Sequence, residues 1–572
     1  MTSKGIGRRD LLAASGAGLL AAAASSSAAS AAAPKRSGWD QEADIICVGA
    51  GSAGLTAAVT AVAIGESVIV LDKAPVAGGT TLKSGAAAWL PGNRQMGTPD
   101  NETDCLRYMS RYAYPEHYAP DLPNFGVPQA EYDLLKAFYA NASPMTEKLR
   151  SLGALDMVTF TIPGGTVVAP DYAPQLPENG DVRGRTLWPR PADGAFGGPA
   201  MIGALTNWLE ARKVPVLTEH SADALIVEDG RVAGIEVVSD ERRLRLRARK
   251  GVIFASGGFA HNVDLVRQHQ PLLYGSCATP AATGDFVRIA GDAGAAMGRL
   301  DTGWRMQVVL EEAVANRVLA QGVFIPPGDA MILVNKYGRR VVNEKRNYND
   351  RTNVHFQYDP STVDYPNELL FMVFDQRAID VFGGAYPFPE KAADSTAVIA
   401  GATWAELASK IQARLAGLTK AVGTVSLQSD FAATLEQTVK RFNGFARTGQ
   451  DEDFHRGHDK REAEWQTFFS PVRKGADAKS ASLRNALLHP FTSAGPYYAI
   501  ILAPGALDTS GGPRIDAQAR VLDGAGKPIP GLFGAGNCVA SPTRQAYFGG
   551  GGTIGPAMTF GYIAANAAHG QA

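Results

Sequence analysis

Ala43-Asp44-Ile45-Ile46-Cys47-Val48-Gly49-Ala50-Gly51-Ser52-Ala53-Gly54, which runs on into the Ala-rich stretch Leu55 to Ala63, decides how the rest of the 572-residue sequence is read. The short apolar run suits a parallel strand buried on both faces. The glycines follow it as GxGxxG. Gly49 permits a tight turn, Gly51 lets the backbone approach a pyrophosphate, and Gly54 lets helix and strand pack closely. The helix that starts at Ser52 and Ala53 offers free N–H groups and the positive end of its dipole to an anion. A second apolar strand, Ser67-Val68-Ile69-Val70-Leu71, ends in Asp72, at the distance where an acidic side chain takes the ribose hydroxyls, with Lys73 beside it. These elements, in this order, predict a dinucleotide site. Gly78-Gly79-Thr80-Thr81 and Ser84-Gly85 add a second small-residue loop with donors for a cofactor lying extended across the domain, which favours FAD over NAD.

Composition excludes several other classes. With 45% hydrophobic and 19% charged residues the chain suits a large buried core in two domains. Its 55 basic and 56 acidic residues nearly cancel and no basic run stands out, which argues against nucleic acid as a partner. Cys47, Cys105, Cys277 and Cys538 lie far apart without metal or haem spacing, so neither a metal site nor a disulfide is expected. Residues 1–33 carry Arg8-Arg9, a weakly apolar stretch and the small residues Ala31-Ala32-Ala33. That order predicts a twin-arginine leader and a periplasmic or secreted enzyme, with no stable membrane insertion once the leader is removed.

The run VGAGSAGLTAAVTA…VIVLDKAPVAGGTTLKSGAAAWLPGN resembles the N-terminal part of the succinate dehydrogenase/fumarate reductase flavoprotein family and, within it, of the 3-ketosteroid dehydrogenases. The resemblance implies an α/β fold, a Rossmann-like FAD-binding domain of the glutathione-reductase type with an inserted α+β cap that holds the substrate. Some members attach FAD to a histidine in this loop; none lies between Gly78 and Gly92, which implies a non-covalent flavin. Residues 40–299 and 488–572 are expected to form the two parts of the FAD domain, and 300–487 the cap. A hairpin with an Asp-Gly turn spans Ala224 to Val238. Ala224, Ala255-Ser256-Gly257, Asp285, Gly536-Asn537 and Gly552-Thr553-Ile554 match further segments that contact FAD. Phe442 to Phe454 is similar to a stretch of the ketosteroid dehydrogenases.

The same resemblance points to chemistry. Fumarate reductases hold a dicarboxylate with arginines and a histidine. Here Tyr348 and Tyr547 occupy the two arginine positions, and the histidine is missing from Pro504 to Gly512. A phenol offers a hydrogen bond without a fixed charge, which suits a neutral ketone. The ketosteroid dehydrogenase pattern assigns Tyr547 and the Gly551 N–H to an oxyanion hole, Tyr348 to the general base, and Tyr172 to a third tyrosine beside the base. The implied reaction desaturates a carbon–carbon bond next to a ketone, with FAD taking hydride and an unidentified acceptor, a quinone or redox protein, taking the electrons. One rival keeps the fold and reverses the flux, an exported ene-reductase acting on an enone or unsaturated acid; a second, of another class, is a flavin-binding electron carrier or assembly partner without its own substrate. Phe548 replaces the family's proline, Trp188 to Gly194 lacks an expected phenylalanine, and Tyr112 to Val127 reads as an insertion near the pocket mouth. A steroid, as against another cyclic ketone, does not follow from these residues. His455, His458 and His489 read as structural.

Overall fold

The computed structural model describes residues 38–162, 167–191, 194–472 and 484–571; the leader expected at residues 1–33 lies outside the described residues. The opening stretch forms the strand Gln41–Val48, whose last four residues are buried. It lies between two parallel neighbours, Val68–Leu71 and Arg242–Phe254. Pro528–Gly534 extends the parallel sheet beyond Arg242–Phe254, and Val216–Leu217 extends it beyond Val68–Leu71. Burial on both faces makes Ile45 to Val48, Val68–Leu71 and the end of Arg242–Phe254 from Val252 continuously apolar rather than alternating. The expected hairpin forms from Ser221–Glu228 and Arg231–Ser239. Its turn residues Asp229 and Gly230 take φ of 50° and 75°, the geometry that matches a two-residue turn to the strands' twist.

Sterics close the turn after the first strand. Gly49 has φ +107°, and a methyl group there would come within 2.4 Å of the Ala255 carbonyl oxygen. A methyl at Gly54, inside helix Ser52–Ala63, would meet the Gly49 carbonyl oxygen at 1.8 Å. Above Gly51 the space is open, the nearest atom being 3.9 Å away. The C-terminal helix Ile554–His569 packs onto Ser52–Ala63 so tightly that a methyl at Gly561 would lie 2.3 Å from the Ala53 carbonyl oxygen.

A second sheet is built around Tyr497–Thr509. This strand pairs antiparallel with Gly303–Val309, Leu370–Asp375 and Ile399–Gly401, and parallel with Gly275–Ser276; Met331–Val334 lies beyond Leu370–Asp375. Tyr497–Thr509, expected within the second part of the FAD domain from residue 488, thus pairs with strands of the expected cap. An apolar run such as Tyr497 to Leu502 states that a strand is buried, but its partners are set by packing from distant parts of the chain. Helices Trp404–Gly417 and Phe431–Thr448 cover one face of this sheet through Leu407, Ile411, Leu435 and Phe442. Beside them, Arg340 donates to both Glu344 and Asp451, and Arg456 donates to Glu344. All four groups are buried, so loss of one partner would strand a charge.

The two sheets meet at the end of the central strand. Asp508 accepts the Gly258 N–H at 2.9 Å, and the Thr509 hydroxyl accepts the Phe259 N–H at 2.6 Å. Among the described residues no helix is long and apolar enough to cross a membrane, and no group of acidic, His or Cys side chains has the arrangement of a metal site. All four cysteines are free and buried.

Gly54→Ala is expected to force the helix from the strand and to yield protein with little bound flavin and a lower Tm. Flavin absorbance per polypeptide checks this; a normal flavin content would contradict the steric reading.

Candidate active site

A continuous cavity lies between the two sheets. Asp72, Lys73, His220 and Asp285 line one part of it. Asp72 joins the glycine turn to the second strand, accepting the N–H of Ala50 at 2.8 Å and of Ala74 at 2.9 Å. Burial raises this carboxyl above its ordinary range, while those two donors act in the opposite sense. Lys73 pairs with Asp285 at 2.6 Å. Gly49, Gly51, Ser52, Ala53, Gly79, Thr80, Thr81, Ser84, Gly85, Ala255, Ser256, Gly257, Gly536, Asn537, Thr553 and Ile554 line the same cavity.

Three residues expected to touch the cofactor do not line it. Gly54 is spent on helix packing, and Gly552 lies under the Tyr547 ring, where a methyl would be 3.0 Å from Cδ1. On the hairpin strand it is Ala222, not Ala224, that faces the cavity, and the pairing shifts by a bulge between them. Two features suit a dinucleotide: the open cradle above Gly51, and the Ser256 hydroxyl, which is buried without a partner among the described residues.

Tyr172, Tyr348 and Tyr547 come together in the cavity wall although they are far apart in sequence. The Tyr172 hydroxyl donates to the Tyr348 hydroxyl at 3.4 Å, a long contact. The ring centroids lie 5.5 Å apart for Tyr172 and Tyr348, 5.1 Å for Tyr348 and Tyr547, and 5.7 Å for Tyr172 and Tyr547. The Tyr547 hydroxyl faces those of Tyr348 and Thr553. Burial is the main cause that raises all three phenols above the ordinary tyrosine range, and for Tyr348 the neighbouring phenols add to it.

Each tyrosine is held by its neighbours in sequence. Tyr348 opens the short helix Tyr348–Thr352, capped by the Asn347 side chain accepting the Asp350 N–H. Asn349, 1% exposed, accepts the Arg305 N–H at 2.9 Å and donates to the Gln545 carbonyl at 2.9 Å. It thus ties the helix of Tyr348 to the loop of Tyr547. Tyr172 follows Asp171, whose carboxylate takes Trp89 Nε1 and Arg185, and the Tyr172 N–H donates to the Phe548 carbonyl at 2.8 Å. Gly551, at φ +81°, is pressed against Ala87, where a methyl would lie 1.9 Å from the carbonyl oxygen. Gly551 lines the cavity, and its N–H makes no hydrogen bond among the described residues.

Beyond the tyrosines the wall is aromatic: Phe160, Trp188, Phe196, Trp465, Phe468 and Phe469. Phe160 packs on Trp188 at 4.5 Å, and Trp188 on Phe196 at 5.1 Å, so this end has aromatic cover despite the missing phenylalanine. No arginine lines the cavity among the described residues. Such an arrangement can polarise a neutral carbonyl and remove an adjacent proton, but offers no guanidinium for a dicarboxylate. Tyr112 to Val127 does not reach this cavity; Tyr112 instead donates to Asp350 at 2.6 Å and packs edge-on against Phe548. His455, His458 and His489 also lie outside the cavity lining.

The sequence pattern of the FAD-binding domain matches residues 44–554. The chain belongs to this family of flavoproteins. Within it the chain is 32% identical to the 3-oxosteroid 1-dehydrogenase of Mycobacterium tuberculosis, over 92% of this chain and 98% of that protein. It is 30% identical to the 4-oxocyclohexanecarboxylate 2-dehydrogenase of Sinomonas cyclohexanicum, over 92% of this chain and 93% of that protein. Among solved structures it superposes on the 3-ketosteroid delta1-dehydrogenase of Sterolibacterium denitrificans in complex with 1,4-androstadiene-3,17-dione. That match has a TM-score of 0.75 at 26% identity and covers 92% of this chain and 100% of the other. FAD is therefore the cofactor of this fold, and the residues described above suit it.

Several residues of the site carried no signal in the sequence. Trp304 sits in an apolar strand, the aromatic wall is assembled from separate segments, and Asp508 lies in a segment notable for a missing histidine. Asn349→Ala is expected to lower kcat by on the order of 10²-fold, the cost of a small misplacement of reacting groups, with FAD retained. Turnover and flavin content measured on the same sample check this.

Proposed function

We propose that the chain is an FAD-dependent dehydrogenase that introduces a carbon–carbon double bond next to the carbonyl of a ketone, in the manner of a 3-ketosteroid 1-dehydrogenase. The observation that carries the reading is the meeting of Tyr348, Tyr172 and Tyr547 in a cavity wall with no arginine among the described residues. In this reading Tyr547 donates its hydroxyl, and Gly551 its N–H, to the ketone oxygen. Negative charge developing on that oxygen acidifies the α carbon. Tyr348 takes the α proton as phenolate, and Tyr172 stabilises that phenolate by donating to its oxygen. FAD, held without a covalent bond, supplies the acceptor for the β hydrogen, which leaves with its electron pair. The helix that begins at Ile554 turns its positive end toward the cavity, where it favours negative charge.

The aromatic wall and the steroid dehydrogenase relatives favour a large, apolar cyclic ketone of the 3-oxosteroid type as substrate. A quinone or a small redox protein is the proposed electron acceptor. The leader at residues 1–33 supports export of the folded holoenzyme by the twin-arginine route. Replacing Arg8 and Arg9 by lysine is expected to leave the precursor in the cytoplasm, as read by cell fractionation.

Tyr348→Phe tests the chemistry. It is expected to keep the yellow cofactor and to lower ketone desaturation by about 10²- to 10⁴-fold, the usual contribution of a general base. The pH profile gives an independent check. Burial and neighbouring phenols raise Tyr348, so its phenolate fraction grows with pH across the accessible range. kcat/KM for a 3-oxosteroid should accordingly climb toward alkaline pH, and an optimum near pH 5 would exclude Tyr348 as the base.

A further inference from the structure

Asp508 is 1% exposed and lies in the wall of the cofactor cavity. Its Oδ2 accepts the Gly258 N–H at 2.9 Å and Asn537 Nδ2 at 3.1 Å, and its Oδ1 accepts the Thr509 N–H at 2.8 Å. Asp171, Glu344 and Asp451 are similarly buried, and each is paired with an arginine. Asp508 has no cationic partner within ion-pair distance among the described residues. Two of its donors belong to elements expected to hold FAD, the Gly257-Gly258 turn and Asn537. Asn537 in turn accepts Trp304 Nε1 at 2.8 Å, and Trp304 packs edge-on against Tyr547 at 5.7 Å.

Such a carboxyl is finely balanced. Burial pushes it up to about 6, while the N–H donors hold it down. Cys277 and Lys83 line the same cavity near Asp508. Burial pushes the Cys277 thiol up to about 11; Lys83 acts to lower it and Asp508 to raise it. A thiol raised in this way stays neutral between weakly acidic and neutral pH. A negative charge added to the flavin in this cavity acts on Asp508 as a like charge and favours its neutral form. By linkage, the Asp508 carboxylate disfavours the reduced flavin to the same extent.

We propose that Asp508 is a redox-linked proton acceptor, whose carboxylate takes up one proton when the FAD in this cavity is reduced and releases it on reoxidation. The proposal rests on FAD occupying the cavity and does not depend on which ketone is oxidised. Two electrons and one hydrogen nucleus reach the flavin as hydride from the β carbon. The proton on Asp508 comes from solvent and returns there when the electrons pass to the acceptor, so no further reductant enters the balance. One outcome is that net charge in the cavity stays nearly constant through the catalytic cycle.

The test is the midpoint potential of the bound flavin in the purified holoenzyme, measured by equilibration with reference dyes from about pH 6 to about pH 8, where a carboxyl raised in this way titrates. The wild type is expected to take up close to two protons per electron pair. Asp508→Asn should take up close to one and show a more positive potential at the alkaline end. Asp508→Glu, which keeps the carboxyl, and Cys277→Ser should both keep the steeper dependence. Equal slopes in the wild type and Asp508→Asn would overturn the proposal, as would loss of the steep slope in Cys277→Ser. A wild-type slope of one proton per electron pair over the whole range would overturn it without any variant. Wild-type protein that binds no flavin would remove the cofactor reading as well, a result distinct from a flat slope.

Discussion

The site depends on two sheets held at a fixed separation. Tyr348 is carried by the part of the chain built on Tyr497–Thr509, and Tyr547 by the loop that leads into the C-terminal helix, so their rings meet only if those bodies are docked in one register. The fixing is polar and buried. Asp508 and Thr509 clasp the backbone of Gly258 and Phe259, and Asn349 spans from the Arg305 backbone to the Gln545 carbonyl. Buried hydrogen bonds contribute little net stability, but an unmade one is costly, which makes them better gauges of distance than apolar contacts.

Within that frame the chemistry follows from desolvation. A free phenol has a pKa of about 10, and the surroundings of Tyr348 hold it higher still. Its neighbours in the wall are the phenols of Tyr172 and Tyr547, which add to that rise. A guanidinium in either position would bind a carboxylate strongly and would leave a neutral ketone facing an unpaired charge. In the proposed reading, tyrosines at the two positions where the resemblance expects the arginines of fumarate reductases change the charge that the cavity tolerates, while the fold around it stays that of a flavoprotein.

Much of this was legible in the residues. The GxGxxG turn, its flanking strands, Asp72 and the second small-residue loop follow local rules, since each glycine answers to atoms a few residues away or to a single facing strand. The tyrosines were legible through family resemblance, not spacing; nothing within the chain says that Tyr172 will lie beside Tyr348. Three features were hidden for one common reason. The sheet to which Tyr497–Thr509 belongs, the aromatic wall and the setting of Asp508 all arise from contacts between segments distant in sequence, where a residue's type leaves its neighbours open. The insertion at Tyr112 to Val127 failed differently. Its aromatic residues suggested a pocket rim, but Tyr112 is used to brace Phe548 from behind.

Gly49, Gly54, Gly551 and Gly561 are all packed so that a single added carbon would collide with main chain. Much of the site's geometry is thus carried by atoms that side-chain truncation cannot remove. An alanine scan of this molecule would identify phenols, amides and carboxylates and pass over the backbone contacts that hold them. Those contacts respond only to the opposite operation, the enlargement of a residue. The tolerance of such a scaffold to drift is accordingly lopsided: side chains of the outer cavity can be exchanged for a new ketone, whereas these four positions admit no change in size.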